Sequence, residues 1–132
     1  SMRYRGAPAR PGLVLGRAPG GSCRGMVFRV AAEQGEKVLD YLWEREMITG
    51  VYRPSWRLVE TPEGRERALT FVADPKHEQF CRLDLPATAA LIRQGIGQRG
   101  ACRDYLINTD RHLRELGIQD RMLARLIELL DR

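Results

Sequence analysis

One carboxylate in this chain stands where an apolar side chain is expected. Within Val38 to Trp56, reading V-L-D-Y-L-W-E-R-E-M-I-T-G-V-Y-R-P-S-W, the residues Leu39, Leu42, Trp43 and Glu46 are spaced i, i+3, i+4 and i+7. On a helix that spacing makes a single apolar stripe ending in Glu46. Taking a carboxylate out of water disfavours its charged form, so an acid on such a stripe suits proton transfer near neutrality. Glu46 is therefore a candidate general acid or base. A structural role is the alternative that spacing alone slightly favours: the helix ends or turns near Met47 and lets Glu46 reach solvent or a neighbouring arginine.

Other chemistries fit less well. His77 and His112 have no nucleophile motif of the G-x-S-x-G kind. Gly95-Ile96-Gly97-Gln98-Arg99-Gly100 matches G-x-G-x-x-G by letter, yet it leaves a helix where a dinucleotide loop must follow a strand. His77 and Cys81, four apart, would share a face if helical, but two ligands do not make a zinc site, and we expect neither metal nor cofactor. Cys23, Cys81 and Cys102 are odd in number and widely spaced, with no C-x-x-C pair, and are read as reduced and buried. Tyr105 on a core-facing helical stripe is as a rule a packed aromatic, and Tyr52 and Trp56 are good strand residues.

The elements that must hold these residues follow from periodicity and turn chemistry. The Pro- and Gly-rich start favours turns, with Leu13 to Leu15 as a short strand. Met26 to Val30 is a second β-prone run, ahead of the helix through Glu46 that Gly50 is expected to stop. Val51 to Glu60 and Arg67 to Ala73 read as a hairpin joined by Thr61-Pro62-Glu63-Gly64. Three helices follow. The first has Pro86 in its opening turn and carries Ala90, Leu91 and Ile96; the second runs from Cys102 to Leu116 and stops at Gly117. The third is capped by Asp120 and buries Leu123, Leu126, Ile127 and Leu130. Strands first and helices last give an α+β class with a largely antiparallel sheet in a single domain over 1–132.

The 132 residues carry a net charge of +5, and Arg3, Arg5, Arg10, Arg17, Arg24 and Arg29 all precede the first acid, Glu33. No nucleic-acid motif accompanies them, so nucleic acid is not the expected partner. No apolar run approaches the roughly 20 residues of a membrane span, and no secretory signal is visible, which makes the cytoplasm the default. Ser1 ahead of Met2 reads as the remnant of a cleaved tag.

Five blocks together resemble a known family: R-G-x-P-x-x-P-G-L-V from Arg5, G-G-S-C-x-G-M-V from Gly20, W-E-R-E-M-x-x-G-V-Y-x-P-x-W from Trp43, D-P-x-H from Asp74, and Y-L with a later L-G-I-x-D from Leu116. They resemble the bacterial ChaC-type gamma-glutamylcyclotransferases over nearly the whole chain. The resemblance implies a small mixed, largely antiparallel barrel with peripheral helices. It also implies conversion of glutathione to 5-oxoproline and cysteinylglycine without a cofactor. It assigns the acid/base role to Glu46 and substrate binding to Tyr105 and Tyr52. Family members begin with a strand and a Y-G-S-L loop that this chain does not contain, so the expectation is an N-terminally truncated barrel. A bare sheet edge would then favour a homodimer or strand-exchanged oligomer. The alternative is an inactive paralogue or fragment serving as a binding or assembly module.

Overall fold

A computed structural model describes residues 5–132. Ser1 and Met2, read as tag remnant and start, and Arg3 of the basic stretch lie outside the described residues. The described order is a 3-10 turn Ala32–Gln34, α1 Gly35–Glu46, β1 Tyr52–Thr61, β2 Gly64–Ala73, α2 Leu85–Gln94, β3 Ile96–Gly97, β4 Gly100–Ala101, α3 Cys102–Glu115 and α4 Arg121–Leu130. Two compact bodies form, one from residues 5–15 with 82–132 and one from residues 16–81.

The helical body holds the core. Ala89 and Ile92 of α2, Cys102 and Leu106 of α3, and Leu123, Leu126 and Leu130 of α4 form one buried cluster, with Leu13, Leu85 and Leu113 packed against it. Each helix begins or ends where its sequence provides for orphan backbone groups. Asp84 accepts from the Ala87 N–H at 2.9 Å and Asp120 from the Leu123 N–H at 3.0 Å, as N-caps do. At the end of α3, Gly117 (φ 77°) donates to the Arg114 carbonyl and Ile118 to that of Leu113, which is a Schellman closure. Two assignments on α2 are corrected. Ala90 is exposed and its neighbour Ala89 is buried, because α3 and α4 pack on the face that carries Ala89 and Ile92. Ile96 lies beyond the helix, exposed, in the two-residue β3–β4 hairpin that the sequence reading passed over.

The other body is built on the β1–β2 hairpin, paired in register from Tyr52↔Ala73 to Thr61↔Gly64. Its turn is closed by Thr61, whose Oγ1 accepts from the Glu63 N–H at 3.2 Å and donates to the Gly64 carbonyl at 2.8 Å. Gly64 at φ 116° occupies backbone space that side chains disfavour. The Arg17 carbonyl accepts from the Ala73 N–H at 2.6 Å, laying one residue of a parallel bridge along β2.

Neither expected short strand forms among the described residues. The Leu13 N–H donates to the Cys102 thiol and the Leu15 N–H to the Tyr105 hydroxyl, so side chains satisfy the groups a strand neighbour would. Met26 to Val30 has no strand partner and leaves Phe28 exposed. The described strands make two two-stranded antiparallel sheets and no closed barrel. Cys23 and Cys81 are exposed, contrary to expectation, and only Cys102 of the three thiols is buried. His77 and Cys81 lie in a run of turns, so the shared helical face does not exist. No helix among the described residues is long and apolar enough to cross a membrane.

Candidate active site

Glu46 is the last residue of α1. The half-buried positions of that helix are Gly35, Val38, Leu42 and Glu46, whereas Leu39 and Trp43 are exposed. The apolar stripe is therefore rotated from the expected one, yet Glu46 stays on its inner side with its side chain 28% exposed. The structural alternative is realised as well, since the helix does end there and Arg45 Nε lies 3.8 Å from Glu46 Oε1. An ion pair between neighbours of that exposure contributes little to stability.

Three contacts fix the end of α1. The Trp43 ring meets Phe71 of β2 edge-on, with centroids 6.2 Å apart and planes at 74°. Met47 donates its N–H to the Trp43 carbonyl at 2.9 Å, and Gly50 donates to Met47 at 3.3 Å. The chain then reverses at Gly50, φ 71°, four residues after the helix it was expected to terminate. A Cβ at Gly50 would stand 3.7 Å from His77 Nε2, so the imidazole borders this turn. The other imidazole nitrogen, Nδ1, accepts from the Gln79 N–H at 3.1 Å.

Tyr52 opens β1 and is half-buried. Gly16 makes room for it, because a Cβ there would sit 2.9 Å from the Tyr52 hydroxyl oxygen. On the neighbouring corner Asp74 is a hub. Its Oδ1 accepts from the Lys76 N–H at 3.0 Å and its Oδ2 from Arg53 Nε and Nη2 at 3.1 and 2.9 Å. The Lys76 amide first and the Arg53 guanidinium second hold the Asp74 carboxyl below its ordinary 3.8.

Tyr105 belongs to the helical body, one turn into α3 and half-buried. Its hydroxyl oxygen accepts from the Leu15 N–H at 3.0 Å, and the Arg5 guanidinium carbon lies 5.4 Å from its ring centroid. The first residue of the same helix, Cys102, grips the backbone of Leu13 twice. Its thiol donates to the Leu13 carbonyl at 3.0 Å and accepts from the Leu13 N–H at 3.2 Å. Burial pushes the thiol above its ordinary range despite the Leu13 N–H, which makes Cys102 a structural rather than a reactive cysteine.

Glu46 and Tyr52 thus share the hairpin body, and Tyr105 is placed in the helical one. Sequence reasoning missed Arg5 as the cation on Tyr105. It also missed Asp110, which is buried on α3 with Oδ2 accepting from Arg114 Nε at 2.9 Å and Oδ1 without a hydrogen-bond partner among the described residues. The signal for Asp110 was present: Cys102, Leu106 and Asp110 recur every four residues, an apolar stripe ending in an acid as at Glu46. Among the described residues, no three His, Cys, Asp or Glu side chains are grouped to hold a metal ion.

Comparison with known proteins places the chain in a lineage. The glutathione-specific gamma-glutamylcyclotransferase of Escherichia coli K12 is 37% identical over 119 residues, which cover 88% of this chain and 51% of that protein. The chain therefore spans about half the length of the curated relative it matches. Two crystal structures of the yeast gamma-glutamyl cyclotransferase specific to glutathione superpose with a TM-score of 0.74 at 19% and 18% identity. They cover 99% of this chain and 80% and 82% of their own, and at such identities the likeness shows the fold. The profile of the family described as ChaC-like protein matches residues 1–132 from end to end, and the chain belongs to that family.

Proposed function

We propose that the chain acts as a glutathione-specific gamma-glutamylcyclotransferase, a lyase with Glu46 as general acid/base and Tyr105 and Tyr52 as substrate-binding residues. The observation that carries this reading is the 37% identity to an enzyme of that name over nearly the whole chain. The half-buried carboxylate held at the end of α1 supports it. In the reaction the substrate's α-amine nitrogen attacks its own γ-carbonyl carbon, closing a five-membered lactam. Glu46 takes a proton from that nitrogen and delivers one to the cysteinyl nitrogen as the γ-glutamyl amide bond breaks. The products are 5-oxoproline and cysteinylglycine, with no atoms left over. Nucleophile and electrophile belong to one molecule, so holding the substrate folded supplies much of the acceleration, and no protein nucleophile or cofactor is required.

The test is release of 5-oxoproline from glutathione by the chain and by Glu46→Gln. Loss of an acid/base group lowers kcat by about 10²–10⁴-fold. Activity that survives Glu46→Gln would remove Glu46 from the mechanism, and no release by the unaltered chain would remove the enzymatic reading. We place the reaction in the cytoplasm, a reading that the three free thiols support.

A second reading, an inactive module for binding or assembly, is favoured by the apolar surface of the hairpin body. Phe28, Trp56 and Leu58 are 78%, 58% and 69% exposed. Association with a second copy through these residues is compatible with either reading, and sedimentation equilibrium at high concentration tests it, a monomer being the contrary result.

A further inference from the structure

We propose that Arg5 is a positioning residue for Tyr105, holding the phenol ring so that its hydroxyl proton is presented to substrate while its oxygen lone pair is engaged by the Leu15 amide. The bearing on turnover rests on the proposed function above; the placement of Tyr105 does not.

Arg5 is fixed at both ends. Its backbone carbonyl is seated against two glycines. A Cβ on Gly12 would lie 1.9 Å from the Arg5 oxygen, and one on Gly95 would lie 2.5 Å from it. Only residues without side chains allow that approach. At the other end Arg5 Nη1 donates to the Ala101 carbonyl at 3.2 Å and would meet a Cβ on Gly100 at 3.3 Å. Ala101 is the residue that caps α3, and Tyr105 follows four residues later. The guanidinium thus bridges the start of α3 and the face of a ring one turn along it.

Helix electrostatics do not explain this contact. A cation at a helix N-terminus opposes the helix dipole, and Ala101 gives α3 no side-chain cap. What the cation gains is the aromatic face, 5.4 Å from its central carbon, a geometry in which cation and ring attract. The ring is then held on one side by Arg5, and its hydroxyl is anchored by the Leu15 N–H at 3.0 Å. A phenol has one O–H to donate, and with Leu15 as donor to its oxygen that proton is directed elsewhere. Tyr105 is set up as a hydrogen-bond donor of fixed direction.

The experiment is a cycle of Arg5→Ala, Arg5→Lys and Tyr105→Phe, reading kcat and KM for glutathione and, by NMR, hydrogen exchange of the Leu15 amide. Arg5→Ala is expected to lower kcat on the order of tenfold, because loss of orientation costs rate rather than folding. Arg5→Lys keeps a cation over the ring and recovers most of that loss. In the Tyr105→Phe background, where the hydroxyl is gone, Arg5→Ala costs nothing further. Leu15 exchanges about tenfold faster in Arg5→Ala, since its acceptor is no longer held. An Arg5→Ala loss that persists in full in the Tyr105→Phe background would overturn the proposal, as would unchanged Leu15 exchange. Should Arg5→Ala not fold, the same two readings are taken on Arg5→Lys, with smaller effects expected in the same directions. If the unaltered chain releases no 5-oxoproline, the proposed function fails and the Leu15 amide still decides the role of Arg5.

Discussion

The two bodies of this molecule treat their apolar residues in opposite ways. Residues 82–132 bury seven hydrophobic side chains in one cluster. In residues 16–81 Ala73 alone is buried among the described residues, while Phe28, Trp43, Trp56 and Leu58 stand in the open. The helical body closes its core through three amphipathic helices whose stripes face one another. The described residues of the hairpin body form no comparable buried cluster, and local devices such as the Thr61 turn, the Trp43–Phe71 contact and the Asp74 hub hold it. Tyr105 is consequently held by packing and backbone. Glu46, on the open body, is held by the end of one helix and the turn that follows it.

A pair of matched substitutions tests that contrast most severely. Gly12 and Gly16 are four residues apart, one in each body. At Gly12 a Cβ would collide with the Arg5 backbone carbonyl at 1.9 Å and come within 3.2 Å of the Gly95 Cα, neither of which yields without moving the segment on α2 and α3. At Gly16 the obstacle is the far end of the Tyr52 side chain at 2.9 Å, which rotates away. Gly12→Ala is expected to cost about 3 kcal/mol in urea denaturation, at the upper end of overpacking effects, and Gly16→Ala less than about 1 kcal/mol. Equal costs would mean that the helical body is no more tightly specified than the hairpin.

The two acids that end apolar stripes sharpen the comparison. Glu46 is half-buried on the open body, and Asp110 is buried in the closed one with one oxygen lacking a hydrogen-bond partner among the described residues. A buried carboxylate with an unmet acceptor costs more than its partner returns, and here that partner, Arg114, reaches solvent. Asp110→Leu is therefore expected to raise stability by about 1 kcal/mol in the same denaturation measurement. A loss of stability would show that the Arg114 pair holds α3 in place.

How much of this was legible in the sequence varies by body for the same reason. The α4 stripe and its Asp120 cap, the Gly117 stop and the 61–64 turn follow from local chemistry, and the structure has them. Glu46 stands out as a candidate because a misplaced acid is visible from spacing alone. Which side of α1 faces inward is not, since helical spacing alone does not say whether Leu39 or Val38 is covered, and it is Val38 that is half-buried. Leu13 to Leu15 is unpaired as a strand, because its backbone is satisfied by a thiol and a phenol some ninety residues away. No local pattern announces such partners. The Arg5–Tyr105 contact is hidden in the same way, joining residues that are neighbours only after α2 and α3 have packed.

Acid probes the local devices of the open body, and the effect should be the smallest of the three. The Asp74 carboxyl is held below its ordinary 3.8 by the Lys76 amide and Arg53. A folded value below the unfolded one means that the folded state binds the proton more weakly. The stabilisation is fully present above pH 3.8 and is lost as pH falls through the lower folded value. Near-ultraviolet circular dichroism of Trp43 and Trp56 followed against urea at neutral pH and at about pH 3 should show the hairpin midpoint falling with acid. Asp74→Asn, which keeps the shape and removes the charge, should flatten that part of the dependence and lower the midpoint at neutral pH. An Asp74→Asn chain as acid-sensitive as the original would place the titrating group elsewhere. The open body would then be held by its packing, as the closed one is, and not by a charged corner.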